Sequence, residues 1–536
     1  AATPARFTLL GQLPEPKTTT VLEASAGTGK TFALAGLVTR YIAEGAARLD
    51  EMLLITFSRA ATQELRDRVR RQIADAAAAF INPDLAAQNE VIAHLLTGTA
   101  EELEVRRTRL TDALAGFDSA TIATIHQFCH VVLTSLGVAG DSDASVELVE
   151  SLDELVTEVV DDLYLSTFGR ERDQPGLSYE QALRLAREVV SNPSTELRPR
   201  HPEPGTRAAL CVDFAKAVAA EMEIRKRRRG ILGYDDLLSR LASALAAPDA
   251  PARLRMSRRW PIVMVDEFQD TDPVQWDILR RLFDGHRPMV LIGDPKQAIY
   301  TFRGADVQAY LRAAGGAAER FGLSRNYRSD AALVGALGTL FEGLRLGDGI
   351  DVRPVSADRP ARGLRHDGAD VAPVLLTTVD QPQKWTHARS QIVADVATQV
   401  RALLDGHQLF DEDAPGGGWR PVDPGDIAVL VRTNPFAQRV AAALRARGVP
   451  VALSGAESIF SSPAAADWLL LLRALASGWR GDLRKAVRTA FFEASLADLA
   501  SADEQQVAGW TAALRQWDRI LHTGGVAALF AAIGAE

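Results

Sequence analysis

Apolar residues recur along the chain in short runs, each closed by a polar turn. Thr20–Glu23, Met52–Thr56, Thr121–Thr124, Ile262–Val265 and Met289–Ile292 are runs of this kind, and stretches with helical spacing of apolar positions follow them. Strand-like runs alternating with helices predict a parallel sheet flanked by helices, with ligands at the carboxyl ends of its strands. A second set, Val374–Val379, Ile427–Val431 and Val449–Leu453, separated by helical stretches such as Phe436–Arg447, predicts a second α/β unit. Between the strands of the first set lies a long polar helical region, about Asp141 to Lys226. It is broken by "SNPSTELRPRHPEPG" (Ser191–Gly205), whose prolines and glycine mark an exposed loop. "DEDAPGGGW" (Asp411–Trp419) reads as another loop, and from Ile459 onward the spacing is helical throughout. No run approaches the ~18 consecutive apolar residues of a membrane span, and no short-period repeat occurs.

Two of the runs deliver candidate chemistry. "VLEASAGTGKTFALAG" (Val21–Gly36) reads as a strand, a turn and a helix, and nearly matches the phosphate loop Gly-x-x-x-x-Gly-Lys-Thr, with Ala24 at the first glycine position. Gly27 and Gly29 let backbone N–H groups of Ser25–Gly29 face an anion, and the helix dipole adds to that attraction. Lys30 can reach the β/γ-phosphates of ATP, and the Thr31 hydroxyl suits a Mg²⁺ ligand. "PIVMVDEFQDTD" (Pro261–Asp272) supplies the other half, an apolar strand carrying Asp266 and Glu267 at its carboxyl end. There Asp266 is the candidate metal carboxylate and Glu267 the candidate base for the attacking water.

Bulk composition narrows the class without changing this picture. A chain of 536 residues exceeds one core and suggests roughly three or four domains. Apolar content of 47% with 24% charge is ordinary for a globular protein. The formal charge of −9 excludes a wholly basic nucleic-acid coat but not a local basic channel. The two cysteines, Cys129 and Cys211, lack metal-ligand spacing, the usage of a reducing cytoplasm. The amino-terminal "AATPARFTLLGQLPEP" lacks the order of a signal peptide. "RKRRR" (Arg225–Arg229), the densest basic run, reads either as a solvated helix end or as a phosphate contact.

Beyond these, "LLITFSRAATQELRDRV" (Leu53–Val69), "TIATIHQFC" (Thr121–Cys129), "YDDLLSRL" (Tyr234–Leu241), "VDEFQDTDPVQ" (Val265–Gln275), "IGDPKQAIYTFRGAD" (Ile292–Asp306) and "LSRNYRS" (Leu323–Ser329) follow in that order. The series resembles the superfamily 1A DNA helicases, the UvrD/Rep/PcrA group, over nearly the whole chain. Within that group "EASAGTGKTF", "RKRRRGILGYDDLLSRL" and "LIGDPKQAIYTFRGAD" are similar to the motors of RecBCD-type helicase–nucleases, and Phe32 follows the loop threonine where UvrD-type members usually carry arginine.

The resemblance implies an α/β, P-loop fold with two RecA-like parallel-sheet motor domains and helical insertions. The expected parts are 1A over 1–140 and 227–320, insertion 1B over 141–226, a partial 2A over 321–458, and the start of insertion 2B over 459–536. It further implies that Gln297 senses the γ-phosphate, Tyr327 stacks on adenine and Arg328 reaches the γ-phosphate. Thr56, Phe57, Ser58 and His126 match DNA-contact segments, as do Tyr300, Phe302 and Arg303. On residue chemistry alone Tyr300 and Phe302 could equally pack under a loop, His126 could be a satisfied core residue, and Arg328 could form a surface salt bridge. Implied cofactors are ATP and Mg²⁺. Implied partners are single-stranded DNA, duplex DNA ends, and RecC-like and RecD-like subunits, with no membrane.

The family's "G-L-E-[FY]" motif, its second γ-phosphate arginine and the nuclease domain do not occur before Glu536. The expectation is an amino-terminal portion of a longer protein that binds or hydrolyses nucleotide weakly by itself. A UvrD-like solo helicase and an AddA-type subunit are rival relatives. A non-catalytic DNA-binding scaffold is disfavoured because Lys30, Thr31, Asp266, Glu267, Gln297 and Arg328 are all present.

Overall fold

The apolar runs of the first set form one parallel sheet. Its seven strands are β1 (Ala5–Arg6), β2 (Thr19–Ala24), β3 (Met52–Thr56), β4 (Thr121–Thr124), β5 (Ile262–Val265), β6 (Met289–Gly293) and β7 (Glu319–Leu323), in the order β1-β7-β2-β6-β5-β3-β4. Register follows from pairs such as Val21 opposite Leu291, Leu22 opposite Phe321, and Ile55 opposite Val265. The computed structural model describes residues 5–14, 17–86, 89–136, 147–149, 151–169, 176–192, 196–247, 249–300, 305–378, 382–411, 418–453, 459–478, 480–492 and 494–534.

Alternation along each strand divides the core between two faces. Leu22, Leu54, Met264 and Ile292 face helices α1 (Lys30–Ala43) and α2 (Arg59–Ala79). Val21, Leu53, Ile55, Val263, Val265 and Leu291 face the opposite layer, built from helices 125–136, 234–244, 273–283 and 307–316. Apolar residues at every position, and not at alternate ones, are what covering both faces demands. All carboxyl ends of these strands therefore open on one edge, where the polar residues that follow them meet.

By its internal contacts the chain divides into two compact units, Ala1–Thr377 with Gln408–Arg420, and Thr378–His407 with Pro421–Glu536. The first unit also holds the polar helical region, as helices Asp153–Phe168, Tyr179–Ser191 and Arg207–Arg229 around Val159, Ala182 and Val218. Residues 196–205 are neither helix nor strand, in keeping with the breaker-rich sequence, and 193–195 fall outside the described residues. So do 412–417 of the predicted glycine-rich loop.

The second unit contains helices Trp385–Leu404 and Asn434–Arg445 around Ala397, Val440 and Leu444. It also contains helices 463–477, 480–486, 496–501 and 504–533 around Leu471, Leu514 and Trp517, so the all-helical end is as the spacing predicts.

The second set of predicted strands is a correction. None of the described residues of 374–378, 427–431 and 449–453 lies in a strand. Leu376 is 89% and Leu430 94% exposed. An apolar run becomes a strand only where a neighbouring strand takes up its N–H and C=O groups, and no described strand pairs with these runs. Ile427, Val431, Val449 and Val451 instead lean on the two helices of that core. No described helix is long and apolar enough to cross a membrane.

Candidate nucleotide and nucleic-acid site

The phosphate-loop sequence folds as a loop because its backbone is turned at two glycines. Gly27 and Gly29 have φ of 75° and 85°, the left-handed region that glycine enters without penalty. Gly29 caps α1 and its carbonyl accepts from Ala33 N at 2.9 Å. The Thr28 hydroxyl and N–H both donate to Ser25 O, at 2.7 and 3.2 Å, closing the turn. Ser25 is part-exposed, Ala26 is exposed, and Phe32, in the first turn of α1, is 39% exposed.

Ala24 is fully buried as the last residue of β2 and does not have a positive φ. A methyl group therefore belongs to the core there, and glycine is not required. The first turn of α1 has no acidic residue, so its N–H groups and dipole stay available to an anion. The Thr31 hydroxyl has no hydrogen-bond partner among the described residues.

Strand β5 delivers Asp266 and Glu267 beside this loop. Asp266 N donates to Ile55 O at 2.8 Å, and Glu267 N donates to Asp266 Oδ1 at 3.0 Å. Glu267 itself has φ 51° and ψ 41°, a left-handed conformation unusual for a residue with a side chain. Its Oε2 takes Lys30 Nζ at 2.6 Å and Gln269 Nε2 at 2.7 Å. Burial, with the Glu267 charge second and Lys30 opposing, pushes the Asp266 carboxyl up to about 6. Burial and Glu267 likewise push Asp270 up to about 6, and its Oδ1 is buried with no partner.

After β6, Asp294 is almost wholly buried and organises the next turn. It accepts from Lys296 N at 3.1 Å, pairs with Lys296 Nζ at 2.7 Å, and accepts from Gln297 Nε2 at 2.8 Å. Three residues beyond Gln297, the Tyr300 ring lies 4.9 Å from that of Phe57, between centroids. Phe57 follows Thr56, the buried last residue of β3, and precedes Ser58, which caps α2 by accepting from Ala61 N. Phe302 and Arg303 fall outside the described residues.

His126 is part-buried and meets Tyr234 edge-on at 5.2 Å, while Arg59 donates to the Tyr234 hydroxyl at 3.0 Å. Burial lowers its pKa, so its ring is neutral at pH 7 and offers a face, not a charge.

The remaining predicted residues press on the loop from the far side. Tyr327 N donates to Gly27 O at 2.8 Å and Asn326 Nδ2 donates to Ala26 O at 3.0 Å. Asn326 Oδ1 in turn accepts from Arg328 N and Ser329 N, at 2.9 and 2.8 Å. Tyr327 is half exposed with its ring beside Gly29, and Arg328 is exposed. The structure thus brings Ser25–Thr31, Asp266, Glu267, Tyr327 and Arg328 to one place, with Gln297 joined through Asp294. Sequence reasoning missed Gln269, Asp294 and Asn326. Each is a polar residue soon after a strand end or within a motif, a signal that singles out position but not role.

The basic run ends helix Arg207–Arg229, as the solvated-helix-end reading expects, but only part of it is solvated. Arg225 pairs with Glu221, Glu158 and Asp162, Arg229 pairs with Glu158, and buried Lys226 pairs with Glu223 and, at 2.6 Å, with Asp236. Arg225 and Arg229 therefore fasten two helices of the helical region together, and Lys226 ties that region to helix 234–244. Arg227 and Arg228 are exposed.

A phosphate loop facing two strand-end carboxylates defines a P-loop nucleotide site on a parallel sheet. Residues 11–317 match the UvrD/REP helicase N-terminal domain, and the chain belongs to that family. It is 52% identical to the RecBCD enzyme subunit RecB of Mycolicibacterium smegmatis, over 98% of this chain and 48% of that protein. It is 49% identical to the RecBCD enzyme subunit RecB of Mycobacterium tuberculosis over the same shares, 98% and 48%. With the protein of that name from Escherichia coli it shares 27% identity, over 93% of this chain and 53% of the relative. The chain spans about half the length of these curated relatives.

Proposed function

We propose that this chain is the ATP-driven motor portion of a RecBCD-type helicase–nuclease, moving 3′→5′ along one strand of DNA. One observation carries the reading. The segment Asp294–Tyr300 is bonded through Gln269 to Glu267 at one end and carries at the other the ring that meets Phe57. A nucleotide site and an aromatic face of the kind that stacks on bases are thereby joined by one short turn.

In this reading the residues divide the work by position. Backbone N–H groups of Ser25–Gly29 and the α1 dipole hold the β/γ-phosphates. Lys30 exchanges Glu267 for phosphate, which frees the Glu267 carboxylate to take a proton from water. Thr31, Asp266 and Glu267 would hold Mg²⁺: burial pushes the Asp266 carboxyl up, the Glu267 carboxylate follows it at the strand end beside Lys30, and the Thr31 hydroxyl is the oxygen that opens α1 after Lys30. When bound, Mg²⁺ neutralises charge on the phosphates. Gln297 and Arg328 answer to the γ-phosphate, and Tyr327 covers the base. Phe57, Ser58, His126 and Tyr300 form the strand-binding face with buried Thr56 behind it; Phe302 and Arg303 join them by resemblance alone, since they lie outside the described residues.

The two motor domains with insertions 1B and 2B, the RecC-like and RecD-like partners, the cytoplasmic setting and action at duplex ends in recombinational repair belong to the same proposal. They rest on likeness to relatives about twice as long. Lys30→Gln in the full-length protein is the test. The expected result is loss of DNA-stimulated ATP hydrolysis with DNA binding retained, and near-native hydrolysis overturns the assignment.

A further inference from the structure

The Gln269 side chain is 2% exposed and lies between two segments that are far apart in sequence. Its Nε2 donates to Glu267 Oε2 at 2.7 Å, and its Oε1 accepts from the backbone N–H of Asp294 at 2.9 Å. A carboxylate can only accept and a peptide N–H can only donate, so the two partners fix the amide's orientation. No carboxylate or hydrocarbon of similar size can make both bonds. The fit extends to the backbone, because a Cβ on Gly293 would stand 2.6 Å from Gln269 Oε1.

Both ends of this bridge are held tightly. Glu267 is in a left-handed conformation and also bonded to Lys30, so its carboxylate is positioned by few, specific contacts. At the other end Asp294 caps the turn Pro295–Gln297 and is locked to Lys296 and Gln297. Six residues after Asp294 comes Tyr300, against Phe57. Were an entering base to shift the Tyr300 segment, the Asp294 N–H and the planar Gln269 amide would be the bonded path by which that shift reaches Glu267.

We infer that Gln269 is a positioning residue that makes the stance of Glu267 depend on occupancy of the DNA face, so that hydrolysis is fast only on DNA. The inference rests on the motor reading above and adds its coupling element. Neither Asp266 nor Thr31 can serve, because neither has a bond to the Asp294 turn among the described residues.

The experiment measures steady-state ATP hydrolysis by the full-length protein with and without oligothymidylate. It compares the native protein with Gln269→Met, which keeps the volume and removes both bonds, and with Gly293→Ala. Gly293 does not have a positive φ, so alanine there strains no backbone; its Cβ would press hardest on an intact Gln269 side chain, at 2.6 Å, and less on Gln269 N at 3.1 Å and Tyr310 Cε2 at 3.2 Å. The expected result is a fall of at least about 10-fold in the ratio of DNA-stimulated to basal kcat for both variants, with KM for ATP within about 3-fold of native. A merely structural role lowers both rates in proportion and leaves the ratio native, which overturns the inference. Should Gln269→Met fail to fold, Gly293→Ala decides by the same ratio. A native protein whose ATP hydrolysis ignores DNA refutes the motor reading itself, a different failure from a native-like ratio in the variants.

Discussion

Adding one methyl group at Gly27 tests how closely the Asn326–Arg328 segment is fitted to the phosphate loop. A Cβ at Gly27 would stand 2.8 Å from Asn326 Oδ1, 2.9 Å from Arg328 Cβ and 3.0 Å from Asn326 Nδ2, on a backbone with φ of 75°. The left-handed conformation costs a non-glycine residue about 1–2 kcal/mol. Forcing a methyl into filled space adds about 1–3 kcal/mol. Gly27→Ala is therefore expected to weaken ATP binding by about 2–5 kcal/mol, or between about 30-fold and several thousand-fold. Gly29→Ala is the control. Its φ is 85°, but the nearest atom to its Cβ, on the Tyr327 ring, is 3.8 Å away. It should suffer the conformational cost alone, about 1–2 kcal/mol. Fluorescence anisotropy with a labelled ATP analogue, alongside thermal unfolding to confirm folding, reads both. Equal losses at the two glycines would refute the claim that Asn326 and Arg328 bear on the loop.

Three further outcomes follow from other contacts. Lys226→Met leaves Asp236 part-buried without its cation, and should lower stability by about 3–5 kcal/mol in urea unfolding. Asp270→Asn bears on pH: the native carboxyl is held up at about 6 against about 4 in the unfolded chain, so the folded state binds the extra proton and native stability falls as pH rises through that window. The substitution should raise stability by about 1–3 kcal/mol at pH 7.5 and leave it unchanged near pH 4, measured by thermal unfolding. Phe57→Ala and Tyr300→Ala should each weaken single-stranded DNA binding by about 1–3 kcal/mol, and less than additively together because the rings touch, with ATP affinity near native.

The first sheet was legible because its central strands Met52–Thr56, Ile262–Val265 and Met289–Gly293 are buried on both faces and apolar at nearly every position. All five predicted runs appear as strands, displaced at their ends by no more than one residue. β1 and β7 were not predicted, since Ala5–Arg6 is two residues long and Glu319–Leu323 is polar and only half-buried. The runs around Leu376 and Leu430 show the converse, because an apolar segment announces what it can bury and not whether a partner strand is present to pair with it.

At the site, lysine, glutamate and glycine stood out because their chemistry is specific in a phosphate loop and a strand-end acidic pair. Gln269 did not, for an amide inside "DEFQD" gains meaning only when folding brings the Asp294 N–H to within 2.9 Å. Lys226 misled in the opposite direction. Its place in a basic run suggested either a solvated helix end or contact with phosphate, whereas the fold buries it against Asp236.

In the proposed motor, ATP bound at Lys30 moves the chain along DNA gripped at Phe57 and Tyr300. Stopped-flow fluorescence with the full-length protein on single-stranded DNA labelled at the 5′ end, in strands of increasing length, tests it most directly. The expected signal has a lag that grows in proportion to strand length, requires ATP and vanishes in Lys30→Gln. A signal whose lag is independent of length, or one that persists in Lys30→Gln, would contradict the proposal.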